Sequence, residues 1–173
     1  LLFLGFAGAF RRSELVAVQI EDLTFTTQGM VVFIPQSKGD QLGAGSEIAI
    51  PYAPQKEICA VRAVRNWMEA AGITSGPLFR GFKRSRQPRD TQLNDKAVAE
   101  IVKKYMARLG LDPSDFAGHS LRRGFATSAA QHDLNTLEIM RQTRHKSEKM
   151  VHRYIEQGNL FKENALDKMF NKK

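Results

Sequence analysis

The sequence predicts a mainly α (α+β) fold, a helical domain with a small three-stranded antiparallel sheet near its N-terminal third. Three observations support this. Apolar residues recur at helical spacing along most of the chain, bracketed by capping residues and glycine stops. One stretch alone, "DLTFTTQGMVVFIPQSKGDQLGAGSEIAIPYA", turns β-branched and is broken by Gly29, Gly39, Gly43 and Gly45. The length of 173 residues, with 42% hydrophobic and 25% charged residues, suits one domain with a real core.

Taken in order, residues 1–19 read as helical, dense in Leu, Phe and Ala, with a soft spot around Gly5 and Gly8. Strands follow near 22–26, 30–36 and 46–51, the last two joined by a glycine-rich loop over 38–45. Pro54 opens a helix to about Ala71, with Ile58, Val61, Val64, Trp67 and Met68 near helical spacing and Gly72 as its stop. "GPLFRGFKRSRQPRDTQ" reads as a loop carrying Arg80, Lys83, Arg84, Arg86 and Arg89. Asn94 caps a helix to Leu109, closed by Gly110. Three more helices run from Ser120 to Gln131, from a cap at Asn135 to Thr143, and from a cap at Ser147 to about Ile155. Leu166, Met169 and Phe170 fall at i, i+3 and i+4 and predict a last short helix. No repeat or internal domain boundary stands out.

The net charge of +8 suits a polyanionic partner, nucleic acid first and an anionic membrane second, although many basic domains bind neither. The single cysteine, Cys59, rules out an internal disulfide and suits a reducing cytosol. Four scattered histidines beside it give no zinc spacing, so no metal is expected. The opening "LLFLGFAGAF" is too short to span a membrane and carries its charges, Arg11 and Arg12, on the wrong side for a signal peptide. It reads as the inside of a buried helix, so a fragment lacking its N-terminal part is expected.

Certain charged positions ask for a partner. With Leu121 as zero on a wheel of about 100° per residue, Phe125, Ser128 and Ala129 share one side. Arg122 falls at the edge of that apolar face and Arg123 nearly opposite. Arg122 is thus expected to be partly buried, and a partly buried guanidinium needs an anion. His119 stands at the start of this helix, where free N–H groups favour anions. A phosphate pocket and an ordinary cap with a distant Glu partner both fit. "FRRSEL" puts Arg11 and Arg12 beside core residues, with either an external anion or Glu14 as the counter-charge. Lys38 sits at the mouth of the glycine-rich loop, reaching over a substrate or simply solvated. Tyr154 follows Met150 and Val151 at helical spacing, with His145, Lys146, Lys149, His152 and Arg153 nearby. It is either a core tyrosine or a nucleophile whose phenolate these cations favour.

Each motif is weak alone, but their order is specific. Arg-x-Ser-Glu-Leu, a hairpin Lys, His-x-x-Arg, then a His followed nine residues later by Tyr resembles the tyrosine recombinase (phage integrase) family over nearly all of the chain. The resemblance implies that the chain is that family's C-terminal catalytic domain, without the N-terminal core-binding domain. It implies catalytic roles for Arg11, Lys38, His119, Arg122, His145 and Tyr154. Two positions depart from the pattern: Arg12 stands at a usually apolar position, and Thr143-Arg144 stands where Leu-Gly often precedes the later histidine.

What the resemblance implies chemically is strand cutting and rejoining on double-stranded DNA through a 3′-phosphotyrosine, without metal, ATP or other cofactor. Lys83, Arg84, Arg86, Arg89, Arg123 and Arg153 become candidates for the DNA backbone, with Lys83 to Arg89 also readable as a solvated loop. The family further implies four protomers on paired DNA sites, joined through the C-terminal segment, and a cytoplasmic, DNA-associated protein of bacterial or phage origin. Two rivals remain. One is a non-catalytic helix-turn-helix-like DNA-binding module built on 135–143 and 147–155. The other is a type IB topoisomerase.

Overall fold

The computed structural model describes residues 1–35, 45–159 and 169–170. The described chain divides into two compact units, Leu1–Arg122 and Arg123–Lys173.

The first unit opens with α1 (Leu2–Ala7) and α2 (Arg12–Ala17), so the expected single helical stretch is broken at 8–11. The break is a helix stop. Ala9 adopts a left-handed φ of 45°, its N–H donates to the Phe6 carbonyl at 3.0 Å, and the Phe10 N–H donates to the Gly5 carbonyl at 3.1 Å. Gly5 is no soft spot: a Cβ there would come within 2.6 Å of Leu121 Cδ1 and 2.9 Å of Leu15 Cδ2, so its missing side chain admits two core leucines.

The predicted three-stranded sheet is present: β1 (Leu23–Phe25), β2 (Gly29–Ile34) and β3 (Ser46–Pro51), antiparallel, in that order. Its register pairs Met30 with Ile50 and Val32 with Ile48. These residues alternate with more exposed neighbours and turn one face inward, as a strand period of two requires. With Leu4, Phe10, Leu15, Val61, Leu78 and Val98 they form one core of large side chains.

The helix expected from Pro54 begins later, as α3 (Ala60–Ala71), after a three-residue 3₁₀ turn at Lys56–Ile58. Two bonds hold the stretch before it out of the helix. Arg62 Nη1 donates to the Ala53 carbonyl at 2.8 Å, and the Ala53 N–H points at Cys59 Sγ at 3.4 Å. Ile58, counted as a core position in the periodic pattern, is exposed. Gly72 ends α3 in the left-handed conformation, as expected.

The stretch expected to be a loop is instead a two-stranded hairpin, β4 (Arg80–Phe82) and β5 (Pro88–Gln92). It escapes a sequence reading because β5, "PRDTQ", buries no side chain fully and so shows no apolar alternation. Then α4 (Asp95–Arg108) starts where expected, with Asn94 Oδ1 accepting the Lys96 N–H at 2.9 Å.

The helix α5 (Ser120–Gln131) matches its predicted bounds, and most of it lies in the second unit. There α6 (Thr136–Thr143) and α7 (Glu148–Asn159) follow. Asn135 and Glu138 cap α6 reciprocally at 3.0 and 2.8 Å. This unit's core is small: Ala126, Ala129, Ala130, Ile139 and Val151, with Phe125, Met140, Tyr154 and Ile155 packed against it. Of the predicted terminal helix, Met169 and Phe170 are helical and exposed, while Leu166 lies outside the described residues. Among the described residues, no helix is long and apolar enough to cross a membrane.

Candidate active site

On α5 the two adjacent arginines separate as their spacing predicts. Arg122 is 6% exposed while Arg123 is exposed. Arg122 Nη1 donates to the Ala9 carbonyl at 2.8 Å, a buried bond spanning 113 positions in sequence. Ala9's left-handed turn aims that carbonyl, so the stop of α1 and the buried guanidinium are parts of one arrangement.

Arg11 is two residues beyond Ala9, at the N-cap of α2. Its backbone N–H donates to Glu14 Oε2 at 2.9 Å and its Nη1 to Glu14 Oε1 at 2.5 Å. Glu14 is buried. Of the two counter-charges that the sequence allows, the internal one is therefore present. A guanidinium carries five N–H donors, so the carboxylate orients Arg11 without exhausting it.

The sequence leaves open which of the two adjacent arginines turns inward. Arg11 does, with a side chain 24% exposed against 41% for Arg12. Arg12 has a separate task. Its Nε lies 3.0 Å from Asp95 Oδ2 at the start of α4, and its stem crosses Gly118, where any Cβ would come within 2.6 Å of Arg12 Cδ. A side chain at Gly118 would therefore require the Arg12 side chain to shift. His119 follows Gly118, exposed, in the turn just before Ser120 opens α5. Arg11, His119 and Arg122 thereby belong to segments joined by direct contacts: Arg122 to Ala9, and the Arg12 stem to Gly118. Lys38 lies outside the described residues.

The second unit holds the other two candidates. The His145 and Tyr154 rings have centroids 5.9 Å apart at an interplanar angle of 38°. Tyr154 shares its helix face with buried Val151, as the spacing predicts, whereas Met150 is exposed. Lys149, Met150, Arg153 and Tyr154 line a small cleft of about 170 Å³, so two of the cations near Tyr154 in sequence are near it in space.

At the position where the family often has glycine, Arg144 takes the left-handed conformation itself (φ 56°, ψ 39°). Its N–H donates to the Met140 carbonyl at 2.7 Å and closes α6. Next to it, fully buried Thr143 lies 2.7 Å from His145 Nδ1 through its hydroxyl. The sequence flags Thr143 only as a departure, and nothing in its spacing indicates that contact.

The basic candidates fall on surface. Lys83, Arg84 and Arg86 are exposed at the β4–β5 turn, and Arg89 is exposed on β5, its Nε donating to the Phe82 carbonyl at 3.3 Å. Arg80 differs, being tied to the Pro77 carbonyl at 2.8 Å and paired with Asp90 at 3.9 Å. Arg153 on α7 is exposed.

Comparison with known proteins adds an independent line. The phage integrase family profile matches residues 1–159. An integrase/recombinase described as a XerD homolog, from Selenomonas ruminantium, is 69% identical over 172 residues, covering 99% of this chain and 50% of the relative. The chain thus spans about half the length of that relative. Among solved structures, the XerH site-specific recombinase in a post-cleavage complex with a palindromic difH substrate superposes with a TM-score of 0.70 at 17% identity, over 97% of this chain and 43% of that one. The XerA recombinase gives 0.65 at 16% identity, over 98% and 55%. The Tn1549 transposon integrase, in complex with transposon right-end DNA, gives 0.59 at 18% identity, over 88% and 52%. At these identities the likeness is one of fold.

Proposed function

The chain belongs to the phage integrase family, and we propose on that basis that it is the catalytic domain of a site-specific DNA recombinase, cutting and rejoining strands through a 3′-phosphotyrosine. The observation that carries this reading is the joining of the Arg11 and Arg122 segments through the Ala9 carbonyl, with His119 at the mouth of the same helix. A scissile phosphodiester is an anion whose non-bridging oxygens gain negative charge as a nucleophile adds. Two planar guanidiniums are suited to stabilise it.

Tyr154 Oη attacks phosphorus, the bond to the 5′-oxygen breaks, and the leaving oxygen takes a proton from Lys38. His119 accepts the phenolic proton, and His145 donates to a phosphate oxygen. A 5′-hydroxyl of a second strand then attacks the phosphotyrosine and regenerates the phenol. One phosphodiester is exchanged for another, so ATP has no place in the balance. Two guanidiniums and a lysine supply the charge that a metal cation otherwise would.

Double-stranded DNA is the partner, with Lys83, Arg84, Arg86, Arg89, Arg123 and Arg153 available to its backbone. Met169 and Phe170, 70% and 78% exposed, support a C-terminal segment that docks on a neighbouring protomer in a tetramer on paired sites.

The test is incubation with a nicked duplex substrate followed by a denaturing gel. A covalent adduct in the wild type that disappears in Tyr154→Phe is the expected result. Binding without any adduct would leave a non-catalytic DNA-binding module instead. Relaxation of supercoils without strand exchange would indicate a type IB topoisomerase.

A further inference from the structure

We propose that Thr143 is a positioning residue that fixes the tautomer of His145, holding the proton on Nδ1 and leaving Nε2 as the acceptor of the neutral ring. The effect on rate rests on the recombinase reading; the assignment of the proton does not.

Two short contacts to one hydroxyl fix where the protons lie. Thr143 Oγ1 lies 2.7 Å from the Ile139 carbonyl oxygen, one helical turn back on α6, and 2.7 Å from His145 Nδ1. Both distances are hydrogen-bond lengths, and Thr143 is fully buried. A carbonyl oxygen only accepts, so the single hydroxyl proton goes to Ile139. What the hydroxyl offers His145 is a lone pair, and Nδ1 must bring the proton to that contact. A reversed arrangement would press two lone pairs together at the carbonyl. In a neutral imidazole with Nδ1 protonated, Nε2 carries none.

The local backbone explains why a hydroxyl is used here. Arg144 ends α6 in the left-handed conformation, which reverses the chain and returns the His145 ring to the side chain two positions before it. A leucine at 143 would bury an equivalent surface but offer Nδ1 nothing. Thr143 fills the buried place and seats the ring together.

The consequence bears on the reaction. Neutral His145 accepts at Nε2. It donates to a phosphate oxygen through that nitrogen only as the imidazolium, and in that form the Nδ1–H stays satisfied by Thr143 Oγ1. His145 is therefore a donor only when charged, a condition a ring with free choice of tautomer would not face.

The experiment uses the full chain with ¹⁵N-labelled histidine, comparing wild type, Thr143→Val and Thr143→Ser. Imidazole ¹⁵N shifts of His145, at a pH where the ring is neutral, are expected to report Nδ1–H in wild type and Thr143→Ser and a shift toward Nε2–H in Thr143→Val. Covalent adduct formation is expected to require the imidazolium in wild type and Thr143→Ser, and to persist to higher pH in Thr143→Val, whose neutral ring donates from Nε2. Nε2–H in the wild type overturns the proposal even if Thr143→Val fails to fold. So does a Thr143→Val protein with unchanged tautomer and an unchanged pH profile of adduct formation. A wild type that forms no adduct refutes the recombinase reading, while the nitrogen shifts still decide the tautomer.

Discussion

The two units of this chain are built on different cores. Leu1–Arg122 buries Leu4, Phe10, Leu15, Met30, Val32, Val61, Leu78 and Val98 around a sheet and helices. Arg123–Lys173 buries three alanines, Ile139 and Val151. The arginines offered to the phosphate belong to the first, and the tyrosine offered as nucleophile to the second. Large aliphatic side chains contribute about 1.5–3 kcal/mol each on burial and alanines far less, so the Tyr154 helix rests on the weaker support. A second unit that opens more readily than the first is what this difference predicts.

The largest expected effect is on the arginines. Arg122→Ala should lower the rate of adduct formation by about 10²–10³-fold, the usual cost of one electrostatic donor. It should also lower stability by about 1–3 kcal/mol, since the buried Ala9 carbonyl loses its bond. Kinetics on a nicked substrate together with urea unfolding separate the two losses. An Arg122→Ala protein that retains the wild-type rate would show that Arg122 does not hold the phosphate.

Next in size is the small core. Ile139→Ala should destabilise the second unit by about 2–5 kcal/mol. Amide exchange should speed up in α6 and α7 and stay unchanged in β2 and β3. Equal acceleration in both would show one cooperative core in place of two.

The smallest effects concern a feature the units share. Each contains a helix ended by a non-glycine residue in left-handed conformation, Ala9 at φ 45° and Arg144 at φ 56°. Such residues cost roughly 1–2 kcal/mol relative to glycine, partly offset by the added freedom that glycine gives the unfolded chain. Ala9→Gly and Arg144→Gly should each raise stability by up to about 1 kcal/mol in thermal unfolding, the first slowing exchange only in the first unit and the second only in the second. A loss of stability at either position would mean that its strain is compensated by contacts of the native side chain.

These elements also show how far the sequence could be read. Periodicity and caps place α4, α5 and α6 because apolar spacing and the signals at Asn94 and Asn135 act locally. The wheel separates buried Arg122 from exposed Arg123 for the same reason. It cannot separate Arg11 from Arg12, because the residue that decides it, Asp95, is far along the chain. The β4–β5 hairpin carries no buried alternation and so gives no strand signal. Ile58 fits the spacing of α3 but lies in the turn before it, where bonds around Ala53 override the pattern. The order of Arg, His-x-x-Arg, His and Tyr made the candidate site legible. The contacts that seat those residues, Ala9 under Arg122 and Thr143 behind His145, depend on backbone turns that no spacing reveals.

The proposed reaction requires that Tyr154 become joined to DNA. The direct measurement is trapping on a nicked substrate, proteolysis, and mass spectrometry of the peptide that retains a nucleotide. The expected product is a 3′-phosphate ester on the Tyr154 hydroxyl. An ester on any other side chain, or a linkage through a 5′-phosphate, would contradict it.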